Sequence, residues 1–317
     1  MSEKTISRTP PPVKTGGFLL PIKKVTMNNR TEQQIRIAGP CAVESAKQWE
    51  QAVVGLQDHC DIIRGGVWKP RTKPGWDGLG RDALIPMFEI ATKHGITPAM
   101  EVLVPEHVDE VAQAMRTVGG NSDEMMQVVV WVGSRNQNHV VQQGIGERVL
   151  NGPGSISVGI KNAPWASIDH TVGIAQHLMA RGLPQDRLAW LALRGFDPSI
   201  LDFIGGWNEG GVSIADTFNP NQLRNIPPTG SWVGRLQTEL KRQDICIPLI
   251  VDPSHIAGRA DLVPGVLEHM LSTMGLDGFI AEVHPNPSVA QTDARQQLSI
   301  EEFVAMMERL NDKQLLW

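Results

Sequence analysis

Eight short β-rich runs recur along the chain, separated by stretches with helical character, and this alternation limits the possible folds more than any other feature. The runs are IRIAG at 35–39, IIRGGVW at 62–68, TPAMEV at 97–102, VVVWVG at 128–133, ISVGIK at 156–161, LAWLAL at 188–193, IPLIVD at 247–252 and DGFIAEV at 277–283. Between them, 81–94, 105–116, 138–150, 167–181, 260–274 and 299–311 are helix-compatible, and Ser299 with Glu302 opens the last as a capping box. Strands alternating with helices imply parallel pairing with right-handed crossovers, and eight such units close most naturally into an α/β (β/α)8 TIM barrel. A doubly wound open sheet is the structural alternative. It would carry a Gly-rich nucleotide loop after its first strand, where this chain reads GPCAVES.

At 317 residues the chain is long enough for one such barrel, and a composition 41% hydrophobic and 20% charged supplies a large core. Residues 1–34, with Pro10, Pro11 and Pro12, read as a short N-terminal arm, leaving 35–317 as the catalytic barrel. The Gly-, Asn- and Pro-dense segment from Phe196 to about Ser231 reads as an extended loop after strand six. A net charge of -5 argues against nucleic acid or an acidic membrane as partner. Cys41, Cys60 and Cys246 are odd in number and widely spaced, which suggests no disulfide framework. With no signal-peptide pattern and no apolar run near the ~20 residues of a membrane helix, the expectation is a soluble cytoplasmic protein.

In a barrel the chemistry gathers at the C-terminal ends of the strands. Strand one ends at Cys41, strand two runs through Arg64 to Lys69 and Arg71, and strand three carries Glu101. Strands four to six end at Arg135, Lys161 and Arg194, strand seven at Asp252 and His255, and strand eight at Glu282 and His284. Singly, each cation is an ordinary solvated loop charge. Six of them, Arg64, Lys69, Arg71, Arg135, Lys161 and Arg194, converging on one mouth would repel one another unless anions sit among them. Phosphate and carboxylate groups suit arginine forks and lysine point charges. A second constellation, Cys41, His255, Glu282 and Asp293, offers a thiolate, an imidazole and two carboxylates, a set suited to a divalent Mn, Fe, Co or Zn ion. These residues form no local metal motif, and a buried core cysteine is the plainer reading of Cys41 alone.

The motifs IAGPCAVES (37–45), RGGVWKPRTKPGWDGLG (64–80), WVGSRN (131–136), IKN (160–162), RGF (194–196), VDPSHIAGRADLVP (251–264) and EVHPNPSVAQTDARQQLS (282–299) together resemble a known family. It is that of 3-deoxy-D-arabino-heptulosonate 7-phosphate (DAHP) synthases of the type I beta group, especially the forms found fused to chorismate mutase. LRNIPPTGSW at 223–232 is similar to part of the loop those forms carry. The resemblance implies condensation of phosphoenolpyruvate with D-erythrose 4-phosphate, the entry to the shikimate pathway. It places the metal on Cys41, His255, Glu282 and Asp293, and phosphoenolpyruvate on Arg64, Lys69, Glu101, Arg135, Lys161 and Arg194, with Ser134 beside them. In KPRT, Arg71 and Thr72 would hold the sugar phosphate. Lys69, Arg64, Glu101, Lys161 and His255 are the implied catalytic groups. A homo-oligomer and a separate chorismate mutase are the implied protein partners.

The chain departs from the family pattern at Ser134, where alanine is usual, at Ala163 in place of a KNP proline, at Leu193 before Arg194, and in the length of its 197–231 loop. These positions lie around the rim, so they bear on the acceptor more than on the chemistry. Two alternatives stand beside the main reading: the same chemistry with another aldose, and a barrel serving mainly as a binding subunit for a chorismate mutase. Retention of the whole cation and metal set argues against the second.

Overall fold

The computed structural model describes residues 34–70, 73–119, 126–200 and 222–317. Eight parallel strands close into a barrel in sequence order: β1 (Ile35–Gly39), β2 (Ile62–Arg64), β3 (Thr97–Val102), β4 (Val128–Val132), β5 (Ile156–Lys161), β6 (Leu188–Leu193), β7 (Leu249–Val251) and β8 (Gly278–Glu282). Closure is made by β1 against β8, with Ile35 opposite Gly278 and Gly39 opposite Glu282. The open-sheet alternative is thereby excluded.

The helices α1 (Ala46–Leu56), α2 (Leu84–Lys93), α3 (Pro105–Gly119), α4 (His139–Asn151), α5 (Ile168–Met179), α6 (Gly230–Arg242), α7 (Pro253–Ala257), α8 (Val263–Met274) and α9 (Ile300–Asp312) follow the strands. Polar caps set their starts. Ser45, Asn138, Ser167 and Thr229 accept hydrogen bonds from first-turn amides, and Ser299 and Glu302 form the expected reciprocal box. The fully buried Trp49, Phe88, Leu178, Leu236 and Phe303 fill the layer between helices and strands. A separate cluster, including Ile37, Val129, Trp131, Trp190, Ile250 and Ile280, fills the barrel interior.

Two strands are shorter than the sequence suggests. The regular ladder of β2 ends at Arg64: Gly66 still pairs with Ala42 in an isolated parallel bridge, its amide donating to Cys41 O at 3.2 Å, but one residue out of the register of the strand, so IIRGGVW is a strand for only three residues. Pro248 has no amide to give the ladder, so β7 begins at Leu249 rather than at 247. The helices α1, α6 and α7 lie outside the stretches singled out from the sequence. The expected arm lies outside the described residues apart from Gln34, which is buried and bonded to Trp317 O. Of the loop after β6, 201–221 also lies outside them; on either side of it Phe196 pairs with Ile226 in an antiparallel bridge.

Candidate active site

The strand register brings the rim residues together. Arg64 closes β2 opposite Ala99, Glu101 lies near the end of β3 opposite Trp131, Lys161 closes β5 opposite Ala192, and Glu282 closes β8 opposite Gly39. A cavity of about 450 Å³ opens at this end of the barrel. Arg64, Lys69, Arg135, Lys161 and Arg194 line it, with Glu101 and Ser134 between them. Cys41, His255, Glu282 and Asp293 line the same cavity. Arg71 and Thr72 lie outside the described residues. His284 points elsewhere: it is buried, its Nδ1 accepts from Asn286 N, and its Nε2 lies 3.7 Å from Glu44.

Part of the cation cluster is neutralised internally. Arg64 Nη1 donates to Glu282 Oε1 at 3.1 Å, and Lys161 Nζ to Asp252 Oδ2 at 2.6 Å, all four groups buried. The ring of Trp131 lies beneath both cations, 5.1 Å from Arg64 Cζ and 5.6 Å from Lys161 Nζ. Lys69 Nζ donates to Cys41 O at 3.0 Å and contacts Cys41 Sγ at 3.1 Å. Burial works against its charge, yet Cys41, Glu101 and Glu282 outweigh that and hold the ammonium above the usual lysine range. Arg135 donates to Pro70 O, and Arg194 leaves its buried Nε without a partner; neither makes an ion pair among the described residues. Burial lowers the Arg194 pKa, and the neighbouring Arg224 and Arg135 push the same way against Asp252. A site that stacks unpaired guanidinium groups like this is completed by an anion.

The motif Asp-Pro-Ser-His builds the next part of the rim. Asp252 caps α7, accepting from the His255 amide, and Pro253 occupies the first turn where no amide donor is needed. His255 Nδ1 then lies 2.8 Å from Asp252 Oδ2, which leaves Nε2 facing Glu282 Oε1 at 3.9 Å. Burial lowers the His255 pKa despite Asp252 and Glu282.

Cys41, Glu282 and Asp293 present ligand atoms all within 4.8 Å of one another. The thiol of Cys41 donates to Asp293 Oδ2 at 3.3 Å. Burial, reinforced by the Glu282 charge, pushes that thiol up to about 12. Asp293 has a left-handed backbone, φ 48°, which aspartate tolerates better than most residues. Burial raises its pKa, but His255, Arg224 and the Cys41 hydrogen bond prevail and hold the carboxyl below the usual range. One soft thiol and two oriented carboxylates, with an imidazole beside them, fit a divalent transition ion better than Mg or Ca. His255 stands at the edge of the triad rather than inside it.

Sequence reasoning missed three contributors. Asp252 was recognised as a strand end but not as the counter-charge of Lys161. Trp131 read only as an apolar strand residue. Arg224 lines the cavity from the 222–229 segment, and its one signal was its place within LRNIPPTGSW.

Comparison with known proteins bears on the family. Phospho-2-dehydro-3-deoxyheptonate aldolase of Thermotoga maritima is 27% identical over 283 residues, 87% of this chain and 69% of that protein. The crystal structure of a Thermotoga maritima phospho-2-dehydro-3-deoxyheptonate aldolase (DAHP synthase) has a TM-score of 0.65 at 26% identity, covering 89% of this chain and 70% of that one. A truncated form of 3-deoxy-D-arabino-heptulosonate 7-phosphate synthase from the same organism shares the fold, with a TM-score of 0.63 at 24% identity over 89% of this chain and 88% of that one. Residues 21–202 and 233–316 match the DAHP synthetase I family, and the chain belongs to that family.

Proposed function

We propose that this chain is a 3-deoxy-7-phosphoheptulonate synthase, which condenses phosphoenolpyruvate with D-erythrose 4-phosphate to DAHP and inorganic phosphate, the first step of the shikimate pathway. The observation that carries the reading is the cavity in which Arg135 and Arg194, which make no ion pair among the described residues, lie beside a Cys41–Glu282–Asp293 triad.

In the reaction a C–C bond forms between C3 of phosphoenolpyruvate and the aldehyde carbon, and the aldehyde oxygen takes a proton. Water adds at C2, the C–O bond to phosphate breaks, and a ketone remains. Arg64, Arg135, Lys161 and Arg194, with Ser134, hold the phosphate and carboxylate of phosphoenolpyruvate and steady the charge that develops at C2. Arg71 and Thr72 take the phosphate of the sugar. Lys69 and Glu101 line the cavity beside the reacting atoms and are the groups that manage protons there, while His255, with Nδ1 held by Asp252, acts through the metal. A Schiff-base route is disfavoured: Lys69 is held protonated, and Lys161 is committed to Asp252 at 2.6 Å. A divalent Mn, Fe, Co or Zn ion held by Cys41, Glu282 and Asp293, with His255 as fourth donor, would supply a Lewis acid for the aldehyde oxygen.

No helix among the described residues is long and apolar enough to cross a membrane. Cytoplasmic location, a homo-oligomer, a separate chorismate mutase as partner, and the division into a 1–34 arm and a 35–317 barrel belong to the same proposal. The purified protein, incubated with phosphoenolpyruvate and a panel of phosphorylated and plain aldoses, tests the function through loss of the enolpyruvate absorbance. Erythrose 4-phosphate should be the best acceptor. Preference for another aldose would replace this assignment with the same chemistry on a different sugar, and no turnover with any would favour a binding subunit.

A further inference from the structure

The last part of the long β6–α6 loop, residues 222–229, is fastened to the metal-capable rim at several points, none of them required to close the barrel. The backbone amides of Arg224 and Asn225 both donate to Ile256 O, at 3.0 and 3.1 Å, and Arg224 N also reaches Ala257 O at 3.2 Å. Asn225 Nδ2 donates to His255 O at 2.6 Å. The close approach depends on Gly258, which ends α7 with φ 69°: a Cβ there would stand 2.3 Å from Arg224 Cβ. The segment also falls in the break between 202 and 233 in the family match.

The Arg224 side chain continues the attachment. Its Nη1 donates to Asp293 Oδ1 at 3.0 Å and to Gln296 Oε1 at 2.6 Å. Gln296 in turn donates from Nε2 to Glu282 Oε2 at 2.6 Å. The division of oxygens is informative. Arg224 takes Oδ1 of Asp293 and leaves Oδ2 to the Cys41 thiol, while Gln296 and Arg64 take separate oxygens of Glu282. Two carboxylates crowded beside a thiol repel one another and would turn apart without a cation between them and fixed donors behind them.

We propose that Arg224 is a positioning residue, which orients Asp293 directly and Glu282 through Gln296 so that the Cys41–Glu282–Asp293 donors face a common point. The inference rests on reading that triad as the metal site. Arg224 touches the cavity, but its work is on the carboxylates. Hydrogen-bonding partners that orient metal ligands are commonly worth 10- to 100-fold in affinity, and a loss of that size is expected when this one is removed.

The test compares the full-length wild type with Arg224→Gln, Arg224→Lys and Gln296→Leu, each stripped of metal. Cobalt binding is followed by its thiolate charge-transfer absorbance, and manganese binding by the electron paramagnetic resonance of the free ion. Arg224→Gln should raise both dissociation constants at least about tenfold. Arg224→Lys should recover part of the loss, and Gln296→Leu should show a smaller loss with Arg224 intact. The cobalt–thiolate band should return at saturation in every variant, because Cys41 is unchanged. Should Arg224→Gln fail to fold, the other two variants decide. Variants that bind both ions within twofold of wild type overturn the positioning role, as does a rise in KM for a phosphorylated substrate with metal affinity unchanged, which would make Arg224 a substrate ligand. Absence of the band in the wild type itself overturns the metal site and this inference together.

Discussion

Gly133 offers a sharp probe of the catalytic arrangement, because its missing side chain is the space Glu101 occupies. A Cβ built on Gly133 would lie 1.8 Å from Glu101 Oε1 and 2.7 Å from its Cδ. Ordinary contact between such atoms is near 3.5 Å, so Gly133→Ala obliges the carboxylate to retreat by more than about 1 Å. Glu101 is half-buried and its carboxylate is the end of a flexible chain, so rotation can absorb the methyl at a stability cost of about 1–3 kcal/mol. Catalysis has less tolerance: displacing a reacting group by about 1 Å costs on the order of a hundredfold. Gly133→Ala should therefore lower kcat about a hundredfold, while thermal unfolding moves by only a few degrees. The Glu101→Ala background isolates the cause, since the clash then has no partner and the added methyl should change kcat by less than about threefold. The reasoning is refuted if Gly133→Ala keeps wild-type kcat, or if the methyl costs as much without the glutamate as with it.

Arg71→Ala should raise the KM for the sugar phosphate at least about tenfold, from loss of a charge-assisted bond worth roughly 1.5–3 kcal/mol; an equal loss for phosphoenolpyruvate in steady-state kinetics would contradict the division of the two substrates. Exhaustive chelation should abolish turnover reversibly, with Mn, Co or Fe restoring it better than Ca, and His255→Ala should lose most activity while keeping its circular dichroism. Activity that survives chelation would require the four-residue metal assignment to be withdrawn. Trp131→Leu, which removes the ring under Arg64 and Lys161, should lower kcat/KM for phosphoenolpyruvate about 5- to 30-fold through 1–2 kcal/mol of lost cation–π attraction. Trp131→Phe should retain more of it, and equal losses in the two variants would point to packing instead.

The barrel was legible because each strand is a compact apolar run and the capped helices between them carry local start signals. Strand ends were less legible: β2 loses its regular ladder where the register against the chain beyond β1 shifts, leaving Gly66 in an isolated bridge with Ala42, a shift that no window around residue 66 can reveal. The rim was legible for a related reason, since inward-facing residues at the C-terminal ends of barrel strands gather at one mouth, though His284 shows that not every strand-end residue does so. Arg224 is different. It sits outside any periodic element, and its partners Asp293 and Gln296 are 69 and 72 residues away. Asp252 was visible as a strand end, but its pairing with Lys161 depends on β5 and β7 lying two strands apart in the closed barrel.

That pairing also alters the electrostatic argument. From the sequence, six converging cations demanded anionic ligands outright, whereas the structure supplies some of the counter-charge itself. Seven cationic side chains line the cavity, Lys73 and Arg224 among them, against the carboxylates of Glu101, Glu282 and Asp293, and Asp252 lies behind Lys161. An excess of three positive charges remains, within a chain whose overall charge is -5. A phosphate monoester brings about 1.5–2 negative charges and a carboxylate one more, so a single phosphoenolpyruvate nearly neutralises the described cavity. The sugar phosphate then needs charge that this balance does not contain. On the proposed assignment, a divalent ion on the Cys41 triad and the guanidinium of Arg71 would be the sources at hand, which would tie the metal and the KPRT loop to the second substrate more than to the first.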